Sequence, residues 1–568
     1  MRFSIGTAAT LLFAAVEAKT LLFPIPQVVE WTNHTAVLAN DFKITGAENL
    51  NVQDAASRYI KLIRKERWTP VQVTNEVKLP KAKTLERLEI SVNDNLAKLD
   101  VDIDESYTLD VPSGGGKATL KAETWVGALR GLETFSQLVQ LECKHLAAHT
   151  AHIEDRPAYG HRGIALDTSR NFYPVKDIQR TIDAMAFNKM NVFHWHVTDS
   201  QSWPLYFKSH PELSQKGAYS SREVYYPSDV FDIINHAKSR GVRVILELDM
   251  PAHTASIADS HPNAMTCTDL FWAEYAAEPP SGQINPISTE AWQLIKDIVK
   301  EGTEVFPDTL YHSGGDEINT KCWERDTKIV EYAKTNNMTM HEVWFEWENR
   351  LLDYVINDTK KRPIMWEDPV KDGGSYPKKT IIQTWLAPPK NYTSQGYDVI
   401  VTNNDYFYLD CGHGGWVGND PRYISPTQQE TTTDTFNYGG AGGSWCAPFK
   451  TWQRIYSFDM TYGITKDQPG KVLGGETVLW SEQSNQYVLD SRLWPRSAAA
   501  AEVFWSGSYD KDLKRRTLRE VQPRFNDWVY RLNARGIGAE PVQPKWCLKH
   551  PEQCNLNDPS NSTESNFQ

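Results

Sequence analysis

The chain has 568 residues, 40% of them hydrophobic, which is enough to bury more than one core and leads us to expect one small and one large folding unit. The formal net charge of -12, a sequence pI of about 5.7 and the lack of any long basic run argue against nucleic acid as a partner. No stretch after the N-terminus is apolar for long enough to span a bilayer, so a soluble mature protein is expected.

Residues 1–18 read as a secretory signal peptide. Arg2 supplies the positive start, Phe3, Ile5 and the run Thr10 to Val16 the apolar stretch, and Ala14 to Ala18 the small residues for cleavage near Ala18. A buried N-terminal helix is the alternative. Sequons at Asn33, Asn337, Asn357, Asn391 and Asn561 agree with export as candidate glycosylation sites. All seven cysteines lie beyond the signal segment. Cys267 with Cys322, Cys411 with Cys446 and Cys547 with Cys554 are the preferred pairs, leaving Cys143 over, although other connectivities stay open. None of the cysteine spacings forms a paired zinc motif.

Residues 19–158 carry short alternating segments, Leu88 to Val92, Tyr107 to Val111 and Ala118 to Ala122. The last two flank the turn Gly114-Gly115-Gly116 and predict a hairpin. Helical patterns over Asp54 to Lys65 and Val126 to Gln140 complete a small α+β unit. From 159 to 540 apolar runs alternate with amphipathic stretches. The runs are Ile164 to Leu166, Val192 to His196, Val242 to Leu246, Thr309 to His312, Arg362 to Trp366, Thr380 to Trp385, Asp398 to Thr402 and the one ending at Trp480. The intervening helices include Val175 to Asn188, Ser228 to Arg240, Thr289 to Phe306 and Met338 to Asn357. This alternation predicts an α/β fold, a (β/α)8 TIM barrel. An open doubly wound sheet is the competitor, but no Gly-rich dinucleotide fingerprint follows a strand. The segment between Cys411 and Val472, rich in Gly, Trp and Tyr, would be a loop at the catalytic face. Residues 541–568 form a polar tail with a cysteine loop.

In such a barrel the chemistry sits at the C-terminal strand ends. Asp167 with Arg170, His194 and His196 with Asp199, and Glu247 and Asp249 with His253 gather there. So do Asp316-Glu317, Trp366-Glu367-Asp368, Trp385, Tyr408 with Asp410, and Trp480 with Glu482. Acids mixed with indoles suit a sugar, whose C–H faces stack on tryptophan while its hydroxyls bond carboxylates. The centre is His312-Ser313-Gly314-Gly315-Asp316-Glu317, where two glycines let the backbone turn and deliver adjacent carboxylates into the mouth. Glycosidic cleavage needs a proton donor and a negative charge facing the cationic centre. Neighbouring residues point apart, so these two need not form an acid–nucleophile pair. A solvated acidic turn is the bland reading, which the preceding strand and the glycines disfavour.

His312 to Glu317 resembles the signature of family 20 glycoside hydrolases, the β-N-acetylhexosaminidases. His161 to Arg170, His194 to Asp199, Asp249 to His253, Gly474 to Glu476 and Leu479 to Glu482 match in the family's order. The resemblance runs from the end of the signal to about Trp546 and looks most like the secreted fungal members. It implies a small α/β domain before the barrel and a retaining, substrate-assisted mechanism through an oxazolinium-type intermediate, with no cofactor. Glu317 would be general acid and then base, and Asp316 would hold the acetamido N–H. Tyr408, for which Tyr406 is the competing register, would donate to the acetamido oxygen. Trp366, Trp385 and Trp480 would wall the acetamido methyl group, while Arg162, Glu482 and Asp410 would bind hydroxyls of the terminal sugar. Asp199 and His253 would orient Glu317 rather than touch sugar. The resemblance also implies exo-action on terminal N-acetylglucosamine or N-acetylgalactosamine, chitin oligomers or glycans as substrates, and a homodimer. Core packing alone is the competing reading for the tryptophans, and a structural ion pair for Arg162.

Two other functions compete. A metal-dependent amidohydrolase-type barrel would use His194 and His196 as ligands with His253 or an acid. A non-catalytic amino-sugar-binding protein would keep the aromatics but have no need of Glu317.

Overall fold

The computed structural model describes residues 21–72, 82–419 and 445–557. The expected signal segment and the sequon at Asn561 lie outside the described residues, as does the side chain of Asn33.

A six-stranded mixed sheet comes first. It comprises β1 (Val28–Thr45), β2 (Lys83–Asp94), β3 (Tyr107–Val111), β4 (Gly116–Thr124), β5 (Val139–Glu142) and β6 (His145–Asp155). Their order is β1-β2-β4-β3-β6-β5, and β1 also pairs with β6. The expected hairpin is β3–β4, antiparallel with Tyr107 opposite Ala122 and Leu109 opposite Leu120. Because side chains alternate across a strand, all four of these fall on the buried face.

Helix α1 (Leu50–Glu66) starts where the Asn49 side chain accepts the Asn51 N–H, and it buries Val52, Ala55, Tyr59 and Ile63 along one stripe. Helix α2 (Trp125–Leu138) is buried at every position. Its apolar side chains join the sheet's core, and two of its charged ones reach the barrel unit. Arg130 donates to the Arg240 and Gly241 carbonyls at 3.2 and 2.7 Å, and Glu133 pairs with Arg535 at 2.8 Å. The helix therefore belongs to both units, which explains polar residues on an otherwise interior element.

The second unit is a closed parallel barrel. Its strands are β7 (His161–Asp167), β8 (Val192–His196), β9 (Arg243–Glu247), β12 (Leu310–His312), β13 (Arg362–Trp366), β14 (Ile381–Thr384), β15 (Asp398–Val401) and β16 (Val472–Leu479). The ring closes by β16 pairing with β7, Leu479 lying opposite Leu166. A ribbon of β10 (Met265–Thr266) and β11 (Gln283–Ile284) braces the loop after β9. The outer helices include α3 (Val175–Phe187), Pro227–Lys238, Thr289–Val305, Met340–Tyr354, Arg496–Ser506 and Leu518–Ala534. Within the tail, Lys545–Lys549 is a short helix holding Cys547. Among the described residues no helix is long and apolar enough to cross a membrane.

The barrel interior changes character along its axis. Val192, Ile245, Leu310, Ile364, Ile381 and Ile400 form one aliphatic cluster toward the N-terminal strand ends. Two residues further along, on the same side of their strands, stand His194, Glu247, His312, Trp366, Gln383 and Thr402. An apolar plug thus supports a polar layer directly below the mouth, where the usual barrel has more branched aliphatics.

Candidate active site

The turn after β12 carries Asp316 and Glu317. Gly314 and Gly315 have φ of 67° and 103°, and Glu317 itself has φ 55°, a conformation costing a non-glycine residue about 1–3 kcal/mol. Neighbouring strands hold this turn. The Gly315 N–H donates to Asp249 Oδ1 at 3.0 Å, the Gly314 N–H to His312 Nδ1 at 3.0 Å, and the Trp366 N–H to the Gly314 carbonyl at 2.9 Å.

The two carboxylates occupy different settings. Asp316 is buried, and its Oδ1 has no hydrogen-bond partner within the protein. Burial, reinforced by the charge of Asp249, pushes its pKa well above the usual carboxylate range. The Glu317 side chain is about a third exposed and lies 3.2 Å from His253 Nε2. His253 Nδ1 is 3.1 Å from Asp199 Oδ1, and Asp199 Oδ2 lies 2.8 Å from His196 Nε2 and 3.0 Å from Arg170 Nη2. Burial alone would lower the His253 pKa, but Asp199 and Asp249 outweigh it and keep the ring cationic. Burial likewise would raise Asp199, yet Arg170 and His253 hold it far below the usual range. Of the two residues expected to orient Glu317, His253 lies against it and Asp199 lies against His253.

The aromatic residues converge beside the acids. Trp366 ends β13, Trp385 follows β14, and Trp480 follows β16. Trp366 and Trp480 are 5.9 Å apart and inclined at 50°, Tyr408 meets Trp480 at 6.1 Å, and Trp385 runs parallel to Tyr408 at 6.3 Å. Trp385 is oriented by its Nε1, which donates to Asp368 Oδ2 at 2.7 Å. Tyr406, the alternative tyrosine, instead stacks on Phe458 at 3.9 Å beneath Arg454. Tyr408 is therefore the one in the cluster, and the charge of Asp316 bears on its hydroxyl. Asp410 and Glu482 line a pocket with His413, Trp416, Trp480 and Arg492. Burial pushes Asp410 up to about 7 and Glu482 well above its ordinary value, Glu278 adding to the latter. Two carboxyl groups thus share this pocket.

Arg162 is not in this site. It is the second residue of β7, at the opposite end of the strand from the mouth, and it is fully buried. Its Nη2 donates to both oxygens of Glu105 at 2.7 Å, its Nε to the Lys189 carbonyl at 2.9 Å and its Nη1 to the Tyr159 carbonyl at 2.8 Å. The structural ion pair is the correct reading of this residue. The arginine at the mouth is Arg170, which contacts Asp167, Asp199 and Glu278 and lies over the Trp480 ring at 5.2 Å. The rule that a barrel's chemistry sits at C-terminal strand ends is the signal that distinguishes the two.

Two further site residues lie on loops that the sequence does not place. Glu278 reaches Arg170 from the loop that the Cys267–Cys322 disulfide closes. Trp445 stands edge-on to Trp385 at 5.5 Å and to Tyr408 at 6.2 Å, brought there by its neighbour Cys446, which is bonded to Cys411. Cys547 and Cys554 form the third bond, and Cys143 takes part in none of the three.

The imidazoles invoked for a metal are engaged with carboxylates. His196 uses both nitrogens, on Glu247 at 2.7 Å and Asp199 at 2.8 Å. His194 lies between Glu247 and Glu476, each at 2.9 Å.

Strand-end carboxylates, one reachable proton carrier and a box of indoles define a glycoside hydrolase built on a parallel barrel. Residues 159–508 match the catalytic domain of glycosyl hydrolase family 20, and residues 22–138 match a domain described as beta-acetyl hexosaminidase like. Over 98% of its length the chain is 36% identical to beta-hexosaminidase 1 of Coccidioides posadasii, covering 99% of that protein. It is 34% identical to a chitooligosaccharidolytic beta-N-acetylglucosaminidase of Bombyx mori, over 82% of this chain and 77% of that one. Among solved structures, a Flavobacterium johnsoniae chitobiase aligns over 91% of this chain and 73% of its own, with a TM-score of 0.73 and 26% identity. The chain belongs to glycoside hydrolase family 20 and is a β-hexosaminidase.

Proposed function

We propose that the enzyme removes terminal non-reducing β-linked N-acetylglucosamine, and N-acetylgalactosamine, with retention and with the substrate's own acetamido oxygen as nucleophile. The observation that carries this reading is the unequal placing of the two carboxylates. Glu317 is the accessible one, while Asp316 is buried beside Tyr408 with an oxygen left unpartnered. A buried, unpartnered carboxyl fits an acetamido N–H, and the positive charge that grows on an oxazolinium ring would offset its desolvation.

Glu317 would give its proton to the leaving oxygen as the acetamido oxygen bonds to the anomeric carbon and the glycosidic bond breaks. It would then take a proton from the water that reopens the ring from the opposite face. Tyr408 would donate to the acetamido oxygen, and Trp366, Trp385 and Trp480 would enclose the methyl group. Arg170, Glu482 and Asp410 would bind the outer hydroxyls, whose donors would engage the acids crowded there. The name of the Bombyx mori relative favours chitin oligomers as substrates.

The test compares release of 4-nitrophenol from its β-N-acetylglucosaminide and its β-glucoside. Cleavage of the first alone, falling by about 100-fold or more in Glu317→Gln, is the expected result. Equal cleavage of both would remove the acetamido nucleophile from the mechanism. Three disulfides support export, with the exposed Asn337, Asn357 and Asn391 as glycan acceptors. Secretion and a homodimer in solution complete the proposal, and culture-medium activity and sedimentation check them.

A further inference from the structure

Glu247, the last residue of β9, is fully buried and belongs to no group that would touch sugar. Each of its oxygens faces a different part of the site. Oε1 accepts from Trp366 Nε1 at 2.8 Å and lies 3.2 Å from His312 Nδ1. Oε2 is 2.7 Å from His196 Nδ1 and 2.9 Å from His194 Nε2. Through Trp366 it fixes an indole of the aromatic box. Through His196 it begins the series Asp199, His253, Glu317, with separations of 2.8, 3.1 and 3.2 Å. His194 ties the same carboxylate back to Glu476 at 2.9 Å, which is held by His161 at 2.6 Å and Gln383 at 3.0 Å.

A buried carboxylate is expensive unless paired, and once paired it fixes its partners firmly. The aliphatic plug beneath leaves this layer nowhere to relax. Burial by itself would raise Glu247, but His196 and His194 keep it ionised, and it in turn helps keep His196 cationic against the effect of burial. Anion and cation then alternate from the barrel axis to the mouth.

We infer that Glu247 is a positioning residue that sets two parts of the reaction at once: the orientation of Glu317 toward the leaving oxygen, through His196, Asp199 and His253, and the fit of the N-acyl group, through Trp366. The inference rests on the general-acid role proposed for Glu317. Its consequence is that one substitution at a residue outside the sugar-contacting set alters two specificities that otherwise have no reason to move together. A residue that merely fills the core would lower stability and the amount of active enzyme, affecting every substrate alike.

The experiment uses the full chain and Glu247→Gln, an isosteric change that keeps an oxygen for Trp366 but removes the charge. Parent and variant are assayed on 4-nitrophenyl and methyl β-N-acetylglucosaminides and on the 4-nitrophenyl N-propionyl analogue. Nitrophenolate leaves with little protonation, whereas methanol needs the acid. We expect kcat/KM to fall about 10-fold for the nitrophenyl substrate and about 100-fold for the methyl glycoside. We also expect the acetyl-over-propionyl preference to narrow. An equal fall on both leaving groups with an unchanged acyl preference would overturn the inference. Failure of the parent to require the acetamido group would instead defeat the proposed function. If Glu247→Gln does not fold, His196→Asn and Trp366→Phe separate the two arms. The first should steepen the leaving-group dependence alone and the second should change acyl preference alone, and the same pattern in both variants would overturn the inference.

Discussion

Arg170 draws Asp167, Asp199 and Glu278 to one guanidinium at the barrel mouth, whereas Arg162 ties Glu105 and two backbone carbonyls together below the barrel. The two arginines should therefore fail differently. Arg162→Met leaves Glu105 with Arg130 and Asn191 as its remaining partners and should destabilise the fold by about 3–5 kcal/mol, with KM near that of the parent. Arg170→Lys cannot reproduce the fork and should raise KM while the melting temperature falls less. Thermal denaturation and steady-state kinetics on the two variants distinguish these outcomes. Both arginines lie in one ten-residue motif, which by resemblance alone assigns the sugar to the wrong one. The strand occupies His161–Asp167, so only its direction shows which arginine faces the mouth.

The element that matters most to the chemistry is the turn after β12. A Cβ at Gly314 would come within 1.7 Å of Asp249 Oδ1, at a φ of 67°. Gly314→Ala should therefore displace Asp249 or the turn, and kcat should fall by about 100-fold or more even where the protein remains folded, because a misplacement of about 1 Å is that costly. Circular dichroism alongside the nitrophenyl assay checks this. The strand ends were legible in the sequence because alternation places every second side chain inward. Loop residues such as Glu278 and Trp445 follow no such period. Disulfides fix their positions, and two cysteines do not disclose which third residue they will carry into a site.

At the scale of the whole molecule the two units share an interior. Glu66 of α1 is bonded to Arg531 at 2.8 Å and to Arg535 at 3.1 Å on the helix Leu518–Ala534 and its C-terminal cap. Burial would raise the Glu66 pKa, but the two guanidinium groups bring it down to about 2. A carboxylate depressed on folding stabilises above its unfolded pKa, near 4.3, and that contribution is lost as pH falls toward 2. Acid should therefore weaken the joint between the units, and Glu66→Gln should flatten the pH dependence of the melting temperature between about pH 4.3 and 2. Because α2 is buried from both sides, a single cooperative transition is expected at neutral pH, with no independent melting of the first unit.

Alternation, apolar runs and the order of motifs were sufficient to establish the barrel and the small α+β unit and to single out the turn carrying Asp316 and Glu317, since those features depend on local periodicity and on residues within a few positions of one another. Only the tertiary structure decided that Arg170 rather than Arg162 lies at the mouth, that Tyr408 rather than Tyr406 joins the aromatic box, and that Glu247 touches both Trp366 and the His196–Asp199–His253 series leading to Glu317. These depend on which strand ends meet across the barrel, a distance set by closure of the sheet and not by position along the chain.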